Sequence, residues 1–345
     1  MLQRGEKLRK DAVEVVAHDA AAGALAYGQA DSLLALAEET APEWFEPIVM
    51  RGNIAYRRSR LAHSATDRRA WVDAAVDHAD RALAVVSNDA AALEVRGTAR
   101  YFCWLRCEIH DHDERDSVFT VAKADLERAV DEDPSLASAY STLSHLYYQT
   151  GDVPSVVLAA RSAYEADAYL ALANDVLFRL FFGHHDLEQL DLAAQRCDEG
   201  AQRFKHDFRF VMCQIQMMTT NVRDPDVDEA WRLLEQLETL TSIPLEPRRS
   251  RMLVGGVIAR AGLSDSANSV LLSARAGHDI DPQGELLLYE ARMRVLLGDN
   301  DEAIELPKQY VAANPGHFAR GRNLNWWWRE LRNDPRFQEI VRLAQ

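Results

Sequence analysis

The densest run of side chains able to do chemistry is Cys103-Trp104-Leu105-Arg106-Cys107-Glu108-Ile109-His110-Asp111-His112-Asp113. On a helix Cys103, Cys107 and His110 share one face, one and two turns apart. Sulfur and imidazole together suit zinc or copper, which makes a metal-responsive sensor one reading of this segment. No Cys-x-x-Cys pair supports it, and two small buried cysteines followed by a solvated loop explain the run as well. No metal or other cofactor is therefore assigned, and the trio stands as an alternative. The four cysteines (Cys103, Cys107, Cys197, Cys213) are too few and too scattered for a disulfide framework and read as reduced thiols.

The other candidates for chemistry are weaker. His184-His185 follows Phe181-Phe182-Gly183, where a helix ending in glycine would leave polar residues in a turn. The run Asp111-His112-Asp113-Glu114-Arg115-Asp116 lacks the oxygen spacing and glycine of a calcium loop and reads as a solvated insertion. There is no Gly-x-Ser-x-Gly elbow, His-Glu-x-x-His pair or Walker loop, so the expectation is a protein that is not an enzyme. A net charge of −15 over 345 residues argues against nucleic acid, whose phosphates need a concentrated basic surface. Val176 to Phe182 is the most apolar stretch, carries Arg179, and falls far short of the ~20 residues of a membrane span. With no apolar leader after Met1, the expectation is a cytoplasmic chain with no membrane partner.

The elements that would hold any site are helices. Ala and Leu are plentiful and alternating β-branched runs scarce, and 48% of residues are hydrophobic. One unit is plain: Ala137 to Tyr148 is amphipathic, Gln149-Thr150-Gly151-Asp152 makes a turn, and Val153 to Ala166 places Val156, Ala160 and Ala163 on one face. Tyr140, Leu143, Ser144, Tyr147, Val156, Ala160 and Ala163 give this unit a resemblance to the tetratricopeptide repeat, a helix–turn–helix of about 34 residues. Ala168 stands where that family usually has proline. Small residues at the close-approach positions let neighbouring helices reach ridge-into-groove distance.

The pattern recurs. Ala30, Leu34, Ala37 and Pro42 mark the second helix of a first unit, Gly52 opens another closed by Ala75, Ala79 and Ala82, and Gly97 leads to Ala122, Leu126, Ala129 and Asp133-Pro134. Gly255, Gly262, Ala267 and Ala274 form a later unit, and Gly298-Asp299, Ala303 and Asn314-Pro315 the last. The expected fold is all-α: a right-handed α-solenoid of about eight pairs forming one domain over 1–345, with repeats near 11–44, 45–89, 90–136, 137–170, 171–208, 209–247, 248–281 and 282–317. Insertions around Ala62–Arg69 and His110–Ser117 should lengthen helices or tip loops. Asn325-Trp326-Trp327-Trp328 and a helix from Pro335 to about Leu343, with Asp334 as its N-cap, form a cap over 318–345.

Three segments, Ala139–Leu146, Arg161–Leu170 and Trp326–Phe337, look similar to the tetratricopeptide regions found C-terminal to some bacterial serine/threonine protein kinases. That likeness implies a sensory or regulatory region, and no kinase motif is present in the chain. The general family resemblance implies that the first helix of each pair lines a concave surface. It points Asn53, Tyr56 and Arg57, then Glu94, Thr98 and Tyr101, then Ser141, His145, Tyr148 and Gln149, then Asp175, Arg179 and Phe182 inward. Such a lining suits a protein or peptide partner. The function expected is a non-enzymatic scaffold, with self-association of the solenoid as an alternative.

Overall fold

A computed structural model describes residues 2–16, 19–314 and 326–343. Pro315 and Asn325, two of the residues expected to mark the last repeat and the cap, lie outside the described residues. The helices α1 (Leu2–Val16), α2 (Ala20–Thr40), α3 (Glu46–Leu61), α4 (Ala65–Val85), α5 (Ala90–Arg106) and α6 (His112–Glu132) are followed by α7 (Ala137–Thr150) and α8 (Val153–Ala166). Then come α9 (Ala173–Asp186), α10 (Leu190–Arg203), α11 (Phe208–Met217), α12 (Val227–Leu240), α13 (Leu245–Arg260), α14 (Ser264–Ala274), α15 (Glu285–Leu297) and α16 (Asn300–Ala313). A 3-10 turn at Trp326–Trp328 and α17 (Pro335–Leu343) complete the series. Among the described residues there is no strand, and consecutive helices pack as pairs: α1 on α2, α3 on α4, α5 on α6, α9 on α10, α11 on α12, α13 on α14 and α15 on α16.

Two compact units are present: one runs to Leu146 and includes Glu165–Asp167, and the other comprises Tyr147–Tyr164 and continues from Ala168. In the first, α3 packs on its partner α4 and also on α5, the opening helix of the next pair. In the second, α13 packs on α14 and on α15 in the same way. A first helix shared between its own partner and the next first helix is the tetratricopeptide arrangement, and this chain has that fold.

The small residues explain the close approach. Ala75, Ala79 and Ala82 on α4, and Ala122 and Ala129 on α6, have no exposed surface. At Gly97 a Cβ would lie 2.7 Å from Leu126 Cγ and 3.0 Å from the Ala122 carbonyl oxygen, so only glycine lets α5 settle onto α6. Ionic contacts fix the same pairs: Asp125 on α6 accepts from Arg96 Nε at 2.9 Å and Nη2 at 2.6 Å, and from Arg100 Nη1 at 2.6 Å. The two insertions emerge as long second helices. α4 and α6 each have 21 residues, opened by Ser64, which accepts from the Asp67 amide, and by Asp111, which accepts from the Glu114 amide.

In the second unit one core runs from Val211 on α11 to Ile340 on α17 and takes in Trp326, Trp327, Trp328 and Phe337. The last helix starts at Pro335, and Asp334 accepts from the Arg336 amide at 2.8 Å, as its sequence led us to expect.

The cysteines require a correction. Cys103 is joined to Cys107 and Cys197 to Cys213. Cys107 caps α5 one turn beyond Cys103, and the packing of α10 on α11 brings the other two together. This replaces the reading as reduced thiols. It also removes the metal alternative at Cys103, Cys107 and His110, because both sulfurs are bonded to each other. No trio of His, Cys, Asp or Glu among the described residues is arranged to hold a metal ion. None of the described helices is long and apolar enough to cross a membrane.

Candidate functional site

In the first unit the opening helices α1, α3 and α5 present a groove of about 290 Å³. Phe45, Val49 and Met50 of α3 and its lead-in form the apolar floor, with Arg9, Asn53 and Glu94 around it. Asn53 Oδ1 accepts from Arg57 Nε at 3.0 Å and from Arg9 Nη1 at 3.5 Å, which ties α1 to α3. Glu94 accepts a hydrogen bond from the Ser138 hydroxyl, which ties α5 to α7.

Burial acts on the charges here. It pushes the Glu94 carboxyl above its ordinary pKa, while the smaller effect of the Ser138 hydroxyl works the other way. It lowers Arg9 and raises the Tyr56 phenol. Glu46 Oε2 and Arg9 Nε are buried atoms with no hydrogen-bond partner among the described residues. A groove that holds an acid and a base short of full hydrogen bonding, beside apolar side chains, is able to take polar and apolar groups of an extended segment together.

The remaining expected residues of this unit pack between neighbouring helices. Tyr56 meets Phe102 edge-on at 5.9 Å. The Tyr101 hydroxyl lies 2.9 Å from His145 Nδ1, and its ring stacks on Trp104. Tyr101 and Ser141 are buried, while Thr98 is half-buried on α5. The structure therefore gathers Asn53 and Glu94 at the groove, holds Arg57 on it through Asn53, and assigns Tyr56, Tyr101 and His145 to the seams beside it.

In the second unit, Tyr148 meets Phe182 edge-on at 5.5 Å, and Asp175 accepts from Arg209 Nη1 at 2.7 Å. Gln149 and Arg179 are half-buried. The surface just beyond Phe182 is taken by the chain itself. His185 is wholly buried, its ring 5.6 Å from Trp326 and 5.4 Å from Trp327, and Arg292 of α15 lies 5.9 Å from the rings of Trp327 and Trp328.

The two histidines also depart from expectation. Both lie in the last turn of α9 and are buried rather than set in a polar turn, and His184 Nδ1 is 2.7 Å from Gln189 Oε1. The reason is Gly183, where a Cβ would come within 2.4 Å of Val157 Cγ2: the glycine serves a close contact and the helix runs on. The left-handed residue after the helix is Glu188, with φ 61°.

Sequence reasoning missed Arg9, Phe45, Glu46, Val49 and Met50. Three of the five carried a signal. Counting back from Asn53 in steps of three, four and seven along the same helical face reaches Met50, Val49 and Glu46. Arg9 carried none, because α1 begins ahead of the first expected repeat.

No family model matches this sequence, and no curated protein does. Among solved structures it is similar to a chain of the APC/C hetero-tetramer Cut9–Hcn1, at 12% identity and a TM-score of 0.47 over 92% of this chain and 52% of that one. Yeast Tom70 follows at 13% and 0.41, over 93% and 63%. A tetratricopeptide repeat protein from Parabacteroides merdae aligns over 99% of both chains at 11% and 0.37. This chain spans about half the length of the first of these and under two-thirds of the second.

Proposed function

We propose that this tetratricopeptide-type array is a non-enzymatic scaffold that holds a protein or peptide segment in the groove formed by α1, α3 and α5. The observation that carries the reading is the lining of that groove: an apolar floor at Phe45, Val49 and Met50, flanked by Glu46, Glu94 and Arg9. Carboxylates outnumber guanidinium groups there, with Asp89 at the rim. The favoured ligand therefore presents a lysine or arginine beside apolar side chains. Glu94 and Arg9 help hold helices together, through Ser138 and Asn53, which suits recognition better than proton transfer. The likeness to kinase-linked repeat regions supplies the regulatory part of this proposal.

The test is a photo-crosslinking amino acid at Met50, compared with one at Val121, an exposed apolar residue of α6 outside the groove. The expected result is a crosslinked partner from Met50 alone in native extract, lost when Glu94→Lys is added. Equal crosslinking from Val121, or crosslinking that survives Glu94→Lys in a folded variant, overturns the groove assignment.

A further inference from the structure

A second cavity, of about 410 Å³, lies wholly within the second unit and has a different character. Its apolar wall is Leu190 of α10, Leu296 of α15 and the ring of Trp326. Two arginines from separate parts of the chain line it: Arg260 at the end of α13, and Arg329 just after the 3-10 turn. We propose that this cavity is a binding site for a small organic anion, one whose carboxylate or phosphate group sits between Arg260 and Arg329 and whose apolar body lies on Trp326.

The guanidinium groups are built in rather than left to solvent. Arg260 Nη1 donates to the Met218 carbonyl at 2.7 Å and the Arg223 carbonyl at 2.8 Å, which fixes its plane. Arg260 forms no ion pair among the described residues, and the acid that acts on it is the exposed Asp224. Arg329 lies over the Trp326 ring at 4.1 Å and donates to the exposed Glu330 at 3.2 Å. The one carboxylate in the lining, Glu188, is already engaged by Arg332 Nη2 at 2.7 Å.

The lining itself carries two guanidinium groups against one carboxylate, and that carboxylate is paired elsewhere, in a protein of net charge −15. Forked guanidinium groups match the oxygen pairs of carboxylate and phosphate, and the cavity lies within the range of volumes that take small molecules. The exposed Asn221 adds an amide at the mouth. An anion spanning Arg260 and Arg329 would join α13 to the tryptophan segment, so occupancy should also raise the melting temperature of this unit.

The experiment is calorimetric titration of the full chain with sodium benzoate, inorganic phosphate and benzyl alcohol at constant ionic strength, with melting curves alongside. Either anion should bind and raise the melting temperature. Benzoate alone marks a carboxylate with an apolar body as the ligand type, and phosphate alone marks a phosphate group. Benzyl alcohol, which keeps the ring and lacks the charge, should bind at least about tenfold more weakly than the anion that binds. Arg329→Gln should weaken the anion by about tenfold or more, the equivalent of one charge-assisted hydrogen bond. Because Arg260 also holds two backbone carbonyls, Arg329→Gln carries the test if Arg260→Lys fails to fold. Binding of neither anion, equal binding of benzyl alcohol, or unchanged anion binding by folded Arg329→Gln overturns the proposal.

Discussion

Replacing Asp125 by asparagine tests how α5 is held, and α5 carries Glu94 and the seam residue Tyr101. Asp125 is only 3% exposed and takes three hydrogen bonds from two guanidinium groups. Asparagine keeps the shape, loses the charge, and cannot accept from both arginines as a carboxylate does. Removing one partner of a buried ion pair costs about 3–5 kcal/mol. Two facts reduce that figure here: Arg96 keeps Asp80 at 2.6 Å, and the side chains of Arg96 and Arg100 are 17% and 24% exposed. A loss of about 2–3 kcal/mol remains, or roughly 5–10 °C in the melting transition of a unit this size. Scanning calorimetry of Asp125→Asn should show that shift, and Asp116→Asn, an exposed acid on the same helix, should stay within about 0.5 kcal/mol of the parent. A double-mutant cycle with Arg100→Met should give a coupling of about 1–2 kcal/mol. If Asp125→Asn melts like Asp116→Asn, the buried cluster does not seat α5 and the reasoning fails.

Gly200→Ala should destabilise the second unit by about 1–3 kcal/mol, because a Cβ there would lie 2.0 Å from Phe210 Cε1; adding Phe210→Leu should recover part of the loss in urea denaturation. Alkylation of the unfolded chain before reduction should modify no cysteine, and reduction should lower the urea midpoint, since Cys197–Cys213 closes a separation of 16 residues worth about 3 kcal/mol of chain entropy. Burial raises the Glu94 carboxyl, so the folded state holds that proton more tightly than the unfolded chain does. The stabilisation this gives is complete below the unfolded carboxylate pKa and is lost as pH rises through the folded one. Glu94→Gln should therefore gain melting temperature relative to the parent as pH rises above that range, and a gap that stays constant with pH would remove burial as the cause.

The pairing of helices was legible because close approach writes itself into residue size. Ala75, Ala79 and Ala82 recur at helical spacing, and each is fully buried against the neighbouring helix. The expected Asp334 cap and the helix from Pro335 were equally readable, since capping depends on neighbours in sequence. Contacts between distant residues were not. Cys197 and Cys213 lie on different pairs, and nothing in their spacing distinguishes a bridge from two buried thiols. The glycine before His184-His185 looked like a helix stop, because close-approach and C-capping glycines are the same letter. Only Val157, on a different helix, decides between them. The groove was half legible for a related reason: Asn53 and Glu94 followed from repeat geometry, whereas Arg9 depends on a helix with no repeat signature of its own.

The tryptophan run shows how a correct local expectation can conceal a larger consequence. Three adjacent tryptophans had to be buried, because exposed they would form an apolar patch prone to aggregation. All three are buried, but the surface that covers them extends well beyond the last pair. His185 of α9 packs on Trp326 and Trp327, and Arg332 beside the run reaches Glu188, a neighbour 144 positions earlier. The segment thus links the start and the end of the second unit, a contact that a stack of nearest neighbours does not supply. That closure has a cost in accessible surface, since the face of α9 next to Phe182 is used by the chain itself. It also has a product: the 3-10 turn that carries Trp326 and the following Arg329 complete the cavity at Arg260. A chain that covers one face of α9 with its tryptophan segment and leaves the groove of α1, α3 and α5 open has its two candidate sites in different units, and the proposed ligands, one basic and one anionic, should occupy them independently.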